Sequence, residues 1–261
     1  MINGDKEMFN SISILGVKVH LVSKTEALDA VFSFFNDSKL NIIHTINPEF
    51  ILNALEDEEY RKILNSASLA VADGIGILKA AKYQHVKVPE RIGGCDLAQD
   101  IMDKMQGTHL SVFILGASQN NLDAAIKNLK IKFPGLDIAG SHNGYFTDSD
   151  DETIINEINE SKANLLLVGM GGIKKQETWV YKYRDKLNVQ ASMGIGGSID
   201  VYSGNIKRAP LWMQRFGLEW LFRTLQEPKK RLKRIYKIPL FLWLALKEQK
   251  NVKRYGLYET E

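Results

Sequence analysis

Along the first two-thirds of the chain, short apolar runs alternate with longer stretches in which apolar residues recur every three or four positions. Ile12 to Val22 alternates and is rich in Val and Ile, which predicts one or two short strands, and Ser23 or Thr25 can cap a helix running through Phe35. Leu40 to Thr45 reads as a buried strand, followed by a helix start at Asn47-Pro48-Glu49 and a helical pattern over 57–66. Ser68 to Ala72 is the next apolar run, and it breaks at Asp73-Gly74 into an amphipathic segment, Ile75 to Tyr83. The same rhythm continues with helical patterns over 97–106, 119–132 and 152–161. Between them lie strands at Leu110 to Gly116, near Leu136 to Ala139, at Leu165 to Val168 and at Ala191 to Met193. These runs are continuously apolar, as strands are when helices cover both faces. The fold class that follows is α/β, a Rossmann-like, mostly parallel sheet flanked by helices.

Candidate chemistry lies where the strands end, because ligands of open α/β sheets sit beyond the carboxyl ends of strands. Asp73 stands at such an end; it is either a chemical carboxylate or a cap for the helix after Gly74. Thr45 and Asn47 end the preceding strand beside a helix N-terminus, a place suited to phosphate or sugar hydroxyls, although capping alone would also account for Asn47. In Pro89 to Leu97, Gly93 and Gly94 let backbone approach a ligand, Arg91 can clamp a diphosphate, and Asp96 is a cap or a ligand contact. Two strands run into glycines, at Gly169-Met-Gly171-Gly172 and Gly194-Ile-Gly196-Gly197. Gly171, Gly196 and Gly197, with Gly74 and Gly94, are candidate contacts to a phosphate. Neither stretch completes G-x-G-x-x-G, since the last positions are Lys174 and Ile199, which argues against a nicotinamide dehydrogenase. Lys174, Lys175, Gln176 and Glu177 follow the first junction, as contacts to a nucleotide or as the first turn of a solvated helix.

Composition changes the picture mainly through charge. The chain has 261 residues and a net charge of +3, yet residues 1–206 hold 20 Lys/Arg against 26 Asp/Glu while residues 207–254 hold 14 against 3. The division predicted is therefore an acidic α/β catalytic domain over 1–206 and a basic, amphipathic helical appendage over 207–261. Pro210 opens an aromatic-rich helical pattern, followed by Pro228-Lys-Lys-Arg-Leu-Lys-Arg234 and the apolar run Ile238 to Leu246. Nine apolar residues cannot cross a bilayer, which takes about 20. Such a segment instead suits the headgroup plane of an anionic membrane, with Trp243, Phe241 and neighbouring leucines inserting. The apolar content argues against a nucleic-acid partner; a homo-oligomer interface stays open. One cysteine, Cys95, makes no intramolecular disulfide, and no signal peptide opens the sequence, so a cytoplasmic location is expected.

Thr147-Asp-Ser-Asp-Asp-Glu152 contains Asp-x-Asp, a pattern that can hold a divalent cation, but clustered acids at a helix start need no metal. The five histidines lack ligand spacing. No metal and no cofactor are expected.

Several stretches together resemble the WecG/TagA/CpsF family of glycosyltransferases: Thr45-Ile-Asn-Pro-Glu49, Ala72-Asp-Gly-Ile-Gly76, Glu90-Arg-Ile-Gly-Gly-Cys-Asp96, Lys175-Gln-Glu177, Gly194-Ile-Gly-Gly197, Arg208-Ala-Pro210 and Gly217-Leu-Glu-Trp220. The resemblance runs in order over roughly residues 10–235. It implies inverting, metal-free transfer of an N-acetylated hexosamine-type sugar from a UDP-sugar to an undecaprenyl-diphosphate-linked acceptor in cell-surface polymer synthesis. For teichoic-acid members that means N-acetylmannosamine going to the 4-hydroxyl of lipid-linked N-acetylglucosamine. By position it implies Asp73 as general base, Thr45 as its partner and Gln176 as a pocket glutamine. Arg208, Arg215, Arg223 and Arg231 fall in the segment that closes over the pocket and meets the lipid diphosphate. The family's usual Gly-x-Pro-Lys-Gln-Glu appears here as Gly172-Ile-Lys-Lys-Gln-Glu177, without the proline. The place implied is the inner face of a bacterial cell membrane, held peripherally. Two other readings stand beside it: the same mechanism with UDP-N-acetylmannosaminuronic acid or UDP-glucose, and a non-enzymatic, membrane-associated nucleotide-binding protein.

Overall fold

A computed structural model describes residues 9–172, 174–210, 212–213, 219–226 and 237–255. The chain opens with an antiparallel hairpin of β1 (Ser11–Ile14) and β2 (Val17–His20), joined at Leu15-Gly16, both with positive φ as two-residue hairpin turns require. Ser23 then caps α1 (Lys24–Phe34) in a reciprocal box with Glu26.

A six-stranded, all-parallel sheet follows, in the order β4-β3-β8-β7-β5-β6. Its strands are β3 (Asn41–Ile46), β4 (Leu69–Ala72), β5 (Ser111–Gly116), β6 (Asp137–His142), β7 (Leu165–Gly169) and β8 (Ala191–Gly194). The connections are α2 (Pro48–Glu56), α3 (Glu58–Asn65), α4 (Ile75–Tyr83), α5 (Gly94–Met105), α6 (Gln119–Lys132), α7 (Asp151–Ser161) and α8 (Lys175–Tyr183), and α9 (Ser198–Tyr202) follows β8. The predicted α/β class holds. Alternation along β5 shows why its run is continuously apolar: Val112 and Ile114 join the core under α1, α5 and α6, while Phe113 and Leu115 join the opposite core under α7 and α8. Two boundaries differ from the sequence expectation. The helix expected from residue 97 begins at Gly94, and β6 extends to His142.

Two further helices are described, α10 (Glu219–Gln226) and α11 (Lys237–Tyr255). Among the described residues, no helix is long and apolar enough to cross a membrane. The expectation that Phe241 enters a membrane is corrected. Phe241 is fully buried and, with Ala245, belongs to the core formed by the hairpin, α2 and α4. Its ring reaches 3.5 Å from the position a Cβ on Gly76 would take. Glu248 adds a polar tie, accepting from the Leu15 N–H at 3.0 Å. Trp243 and Leu240, by contrast, stay 58% and 40% exposed.

Candidate active site

A cleft of about 610 Å³ opens beyond the carboxyl ends of β3, β4, β7 and β8. Thr45, Asn47, Asp73, Gly74, Arg91 and Gly94 line it from one side, and Gly171, Gln176, Gly196, Gly197 and Arg208 line it from the other. Arg215 and Arg231 lie outside the described residues, as does the side chain of Arg223.

The corner around Asp73 is built by backbone pairing. The Asp73 N–H donates to the Ile46 carbonyl at 2.7 Å, and the Ile92 N–H donates to the Ala72 carbonyl at 2.8 Å, so the ends of β3 and β4 and the start of α5 are held together. The N-cap of α4 is Gly74, at φ +91°, so Asp73 stands one position before the cap residue. Glycine suits this position because an L side chain is strained at that φ. The Asp73 Oδ1 lies 3.8 Å from where a Cβ on Gly93 would stand, and Thr45 Oγ1 lies 3.0 Å from the corresponding point on Gly94. A carboxylate and a hydroxyl thus flank the first turn of α5. Asn47 caps α2, its side-chain oxygen accepting from the N–H groups of Glu49 and Phe50 at 2.9 and 3.1 Å.

Positive potential comes from helix ends and from one guanidinium. The N-termini of α4, α5 and α8 border the cleft without side-chain caps, whereas Ser23, Asn47, Asp57 and Ser118 cap α1, α2, α3 and α6. Uncapped N–H groups at such ends favour an anion. Three lining cations are already paired: Lys174 with Asp57 at 2.8 Å, Arg208 with Asp96 at 2.6 Å, and Lys237 with Glu49 at 3.5 Å. Asp96, expected as a cap or a ligand contact, is a partner of Arg208. Lys175 points its ammonium over the Phe146 ring, 5.7 Å from the centroid.

The opposite wall is polar and buried. Gln176 and Glu177 are buried, so the reading of this stretch as a solvated first turn holds only for its lysines. The Gln176 Oε1 accepts from the Gly196 N–H at 3.0 Å and its Nε2 donates to Glu177 Oε1 at 2.5 Å. Gly194 leaves the room for this, since a Cβ there would meet Gln176 Nε2 at 2.6 Å. Burial raises the Glu177 carboxyl above the usual range, against hydrogen bonds from Gln176 and Tyr60 that act to lower it. Burial likewise holds His44 neutral, pushed down to about 4. Sequence reasoning passed over His44 and Ser192 as parts of this wall, and offered Glu177 only as a nucleotide contact or a solvated first turn. The available signal for His44 was its place beside Thr45 in β3, where neighbouring side chains point to opposite faces.

Of the acids at 148–152, Asp150 stands at the N-cap position of α7 and Asp151 in its first turn. Thr147 donates from its N–H and hydroxyl to Asp150 Oδ2, both at 2.9 Å, and buried Asp151 accepts from Trp179 Nε1 at 2.7 Å and from the Tyr183 hydroxyl. Among the described residues, no group of three or more His, Cys, Asp or Glu side chains is arranged to hold a metal ion.

Comparison with known proteins adds identity to this geometry. The model of the family described as "Glycosyl transferase WecG/TagA/CpsF family" matches residues 12–255. A protein of Staphylococcus aureus strain MW2, named N-acetylglucosaminyldiphosphoundecaprenol N-acetyl-beta-D-mannosaminyltransferase, is 32% identical over 245 residues, 93% of this chain and 95% of its own. The proteins of that name from strains NCTC 8325 and MRSA252 match over the same extent, also at 32% identity.

Proposed function

The chain belongs to the WecG/TagA/CpsF family of glycosyl transferases, and from that premise we propose that it moves N-acetylmannosamine from UDP-N-acetylmannosamine to the 4-hydroxyl of undecaprenyl-diphosphate-linked N-acetylglucosamine, with inversion, in teichoic-acid-type polymer synthesis. The supporting observation is the convergence of Asp73, Thr45, Arg91 and Gln176 with uncapped helix N-termini in one cleft.

Asp73 takes the proton of the acceptor hydroxyl as its oxygen attacks the anomeric carbon, while the bond to UDP breaks on the opposite face. Thr45 orients the nucleophile beside it. The negative charge gathering on the departing UDP meets the N-termini of α4, α5 and α8, the glycine N–H groups at 171 and 197, and the Arg91 guanidinium. The reaction is proposed to need no metal because these groups carry the positive field, while Asp150 accepts from Thr147 and Asp151 from Trp179. A neutral sugar suits the cleft better than a uronic acid, because Lys174 is paired with Asp57 and Lys175 lies over Phe146.

Residues 207–261 are proposed to bind an anionic membrane at the inner face, with Trp243 and Leu240 outward and the Lys/Arg run over 229–234 at the headgroups. Arg215, Arg223 and Arg231 then meet the acceptor diphosphate, with Arg208 joining them from its ion pair. The test is a donor screen with full-length protein and a short-chain N-acetylglucosaminyl diphospholipid. Transfer from UDP-N-acetylmannosamine supports the reading. Transfer only from UDP-N-acetylmannosaminuronic acid or UDP-glucose would change the donor, and UDP-sugar binding with no transfer from any of them would favour the non-enzymatic alternative.

A further inference from the structure

Behind the Gln176 wall lies a second cavity, of about 10 Å³, lined by His44, Gln176, Glu177, Ser192 and Gly194 among apolar neighbours. Among the described residues, His44 Nε2 and Ser192 Oγ are buried with no hydrogen-bond partner, and both residues border this space. The backbone of Ile63 engages the His44 ring, and with the ring neutral the unpartnered nitrogen presents a lone pair. Buried polar atoms left unpaired are costly, and a space of this size reached by two to four polar partners can hold one internal water.

The same residues determine how Gln176 is held. Its amide can point either end at the loop after β8, and the two orientations differ in what Gly196 meets. The Gly196 N–H can only donate, so the amide oxygen is directed to it and the Gln176 Nε2 to Glu177 Oε1. Tyr60 supports the carboxyl from the other side, its hydroxyl lying 3.4 Å from Glu177 Oε2. A chain of contacts therefore runs from Tyr60 through Glu177 and Gln176 to the backbone of the cleft loop.

We propose that Glu177 is a positioning residue, braced by one internal water shared with His44 Nε2 and Ser192 Oγ, that fixes the Gln176 amide and through it the Gly194–Gly197 loop on which the donor diphosphate rests. The last step rests on the donor reading given above. The buried brace itself does not.

Amide hydrogen exchange at Gly196, followed in the substrate-free full-length protein, tests the brace apart from activity. Glu177→Met keeps volume but loses the acceptor, and it should speed Gly196 exchange about 10-fold while β5 amides stay protected. Glu177→Gln keeps an acceptor oxygen and should restore slow exchange. In the transferase assay Glu177→Met should raise the donor KM about 10-fold with kcat changed far less, the size expected when a supporting contact behind a site is lost. A crystal structure of the wild-type protein should show one ordered water within hydrogen-bond distance of both His44 Nε2 and Ser192 Oγ. Unchanged Gly196 exchange in folded Glu177→Met overturns the proposal, as does a well-ordered map with no water there, which needs no variant. If the brace behaves as expected but wild-type protein fails in every transferase assay, the donor reading falls and the brace stands.

Discussion

Arg208 Nη2 meets Asp96 Oδ1 at 2.6 Å, tying the chain beyond α9 to the first turn of α5. The pair is partly shielded, with side chains 22% and 36% exposed, and Arg208 Nε is also 3.7 Å from Glu219 Oε1. A double-mutant cycle of Asp96→Asn and Arg208→Gln should give a coupling of about 1 kcal/mol after allowance for solvent screening. The coupling should shrink in high salt. Additive effects in chemical denaturation would mean that the contact does not fasten the chain beyond α9 to α5.

Asp73→Asn should leave the thermal transition within a few degrees of the wild type and lower turnover by about 10²–10⁴-fold, the usual worth of a positioned general base. The expectation rests on a carboxylate that lines the cleft at the end of β4, with its Oδ1 near Gly93. A folded variant with near-normal kcat would remove Asp73 from the chemistry. Full activity in EDTA is expected alongside; a loss that Mg²⁺ or Mn²⁺ repairs would return attention to the Asp148–Asp150 pattern.

Much of this was legible in the sequence because it follows from local rules. The apolar runs gave the strands, Asn47-Pro48-Glu49 gave the start of α2, and Asp73-Gly74 gave the strand end that borders the cleft. What stayed hidden depends on contacts far apart in the chain. Arg208 looked available for a diphosphate until Asp96 was beside it, and Lys174 until Asp57 was. Phe241 and Trp243 sit two positions apart in one aromatic run, and only the docking of α11 on Gly76 tells the buried one from the exposed one.

His44 should make stability depend on acid. Its folded value is about 4 against an ordinary 6.5, so between those limits the unfolded chain binds more protons and stability rises with pH. That contribution is fully present above about 6.5 and lost as pH falls towards 4, up to roughly 3 kcal/mol as an upper bound. Glu177 works the other way: its raised carboxyl stabilises most below the unfolded value of 4.5, and the contribution is lost as pH rises through the folded value. Comparing wild type with His44→Asn between pH 4 and 6.5 isolates the histidine, and the variant should show the flatter rise. Parallel curves would mean that His44 is protonated equally in both states.

The two aromatic residues of α11 should separate stability from membrane attachment. Phe241 is fully buried in the core shared with α2 and α4, so Phe241→Ala should cost about 3 kcal/mol. A chain cut before residue 237 should lose stability too, because it uncovers the same apolar surface and removes the Glu248 tie to Leu15. Trp243 is 58% exposed with Lys247 Nζ 5.3 Å from its ring centroid, and Trp243→Ala should change stability by less than about 0.5 kcal/mol. At an anionic bilayer the order reverses. Trp243 and Leu240 face outward, and residues 207–254 carry 14 Lys/Arg against 3 Asp/Glu. Each cation near the headgroups is worth up to about 1 kcal/mol at low salt. Trp243→Ala should therefore weaken co-sedimentation with phosphatidylglycerol vesicles, while Phe241→Ala at a temperature where it remains folded should not. Charge reversal of Lys229, Lys230, Arg231, Lys233 and Arg234 should weaken vesicle binding further and leave UDP affinity unchanged. Wild-type protein that ignores such vesicles at low salt, or Trp243→Ala that binds them as the wild type does, would mean that this face of α11 meets something other than lipid.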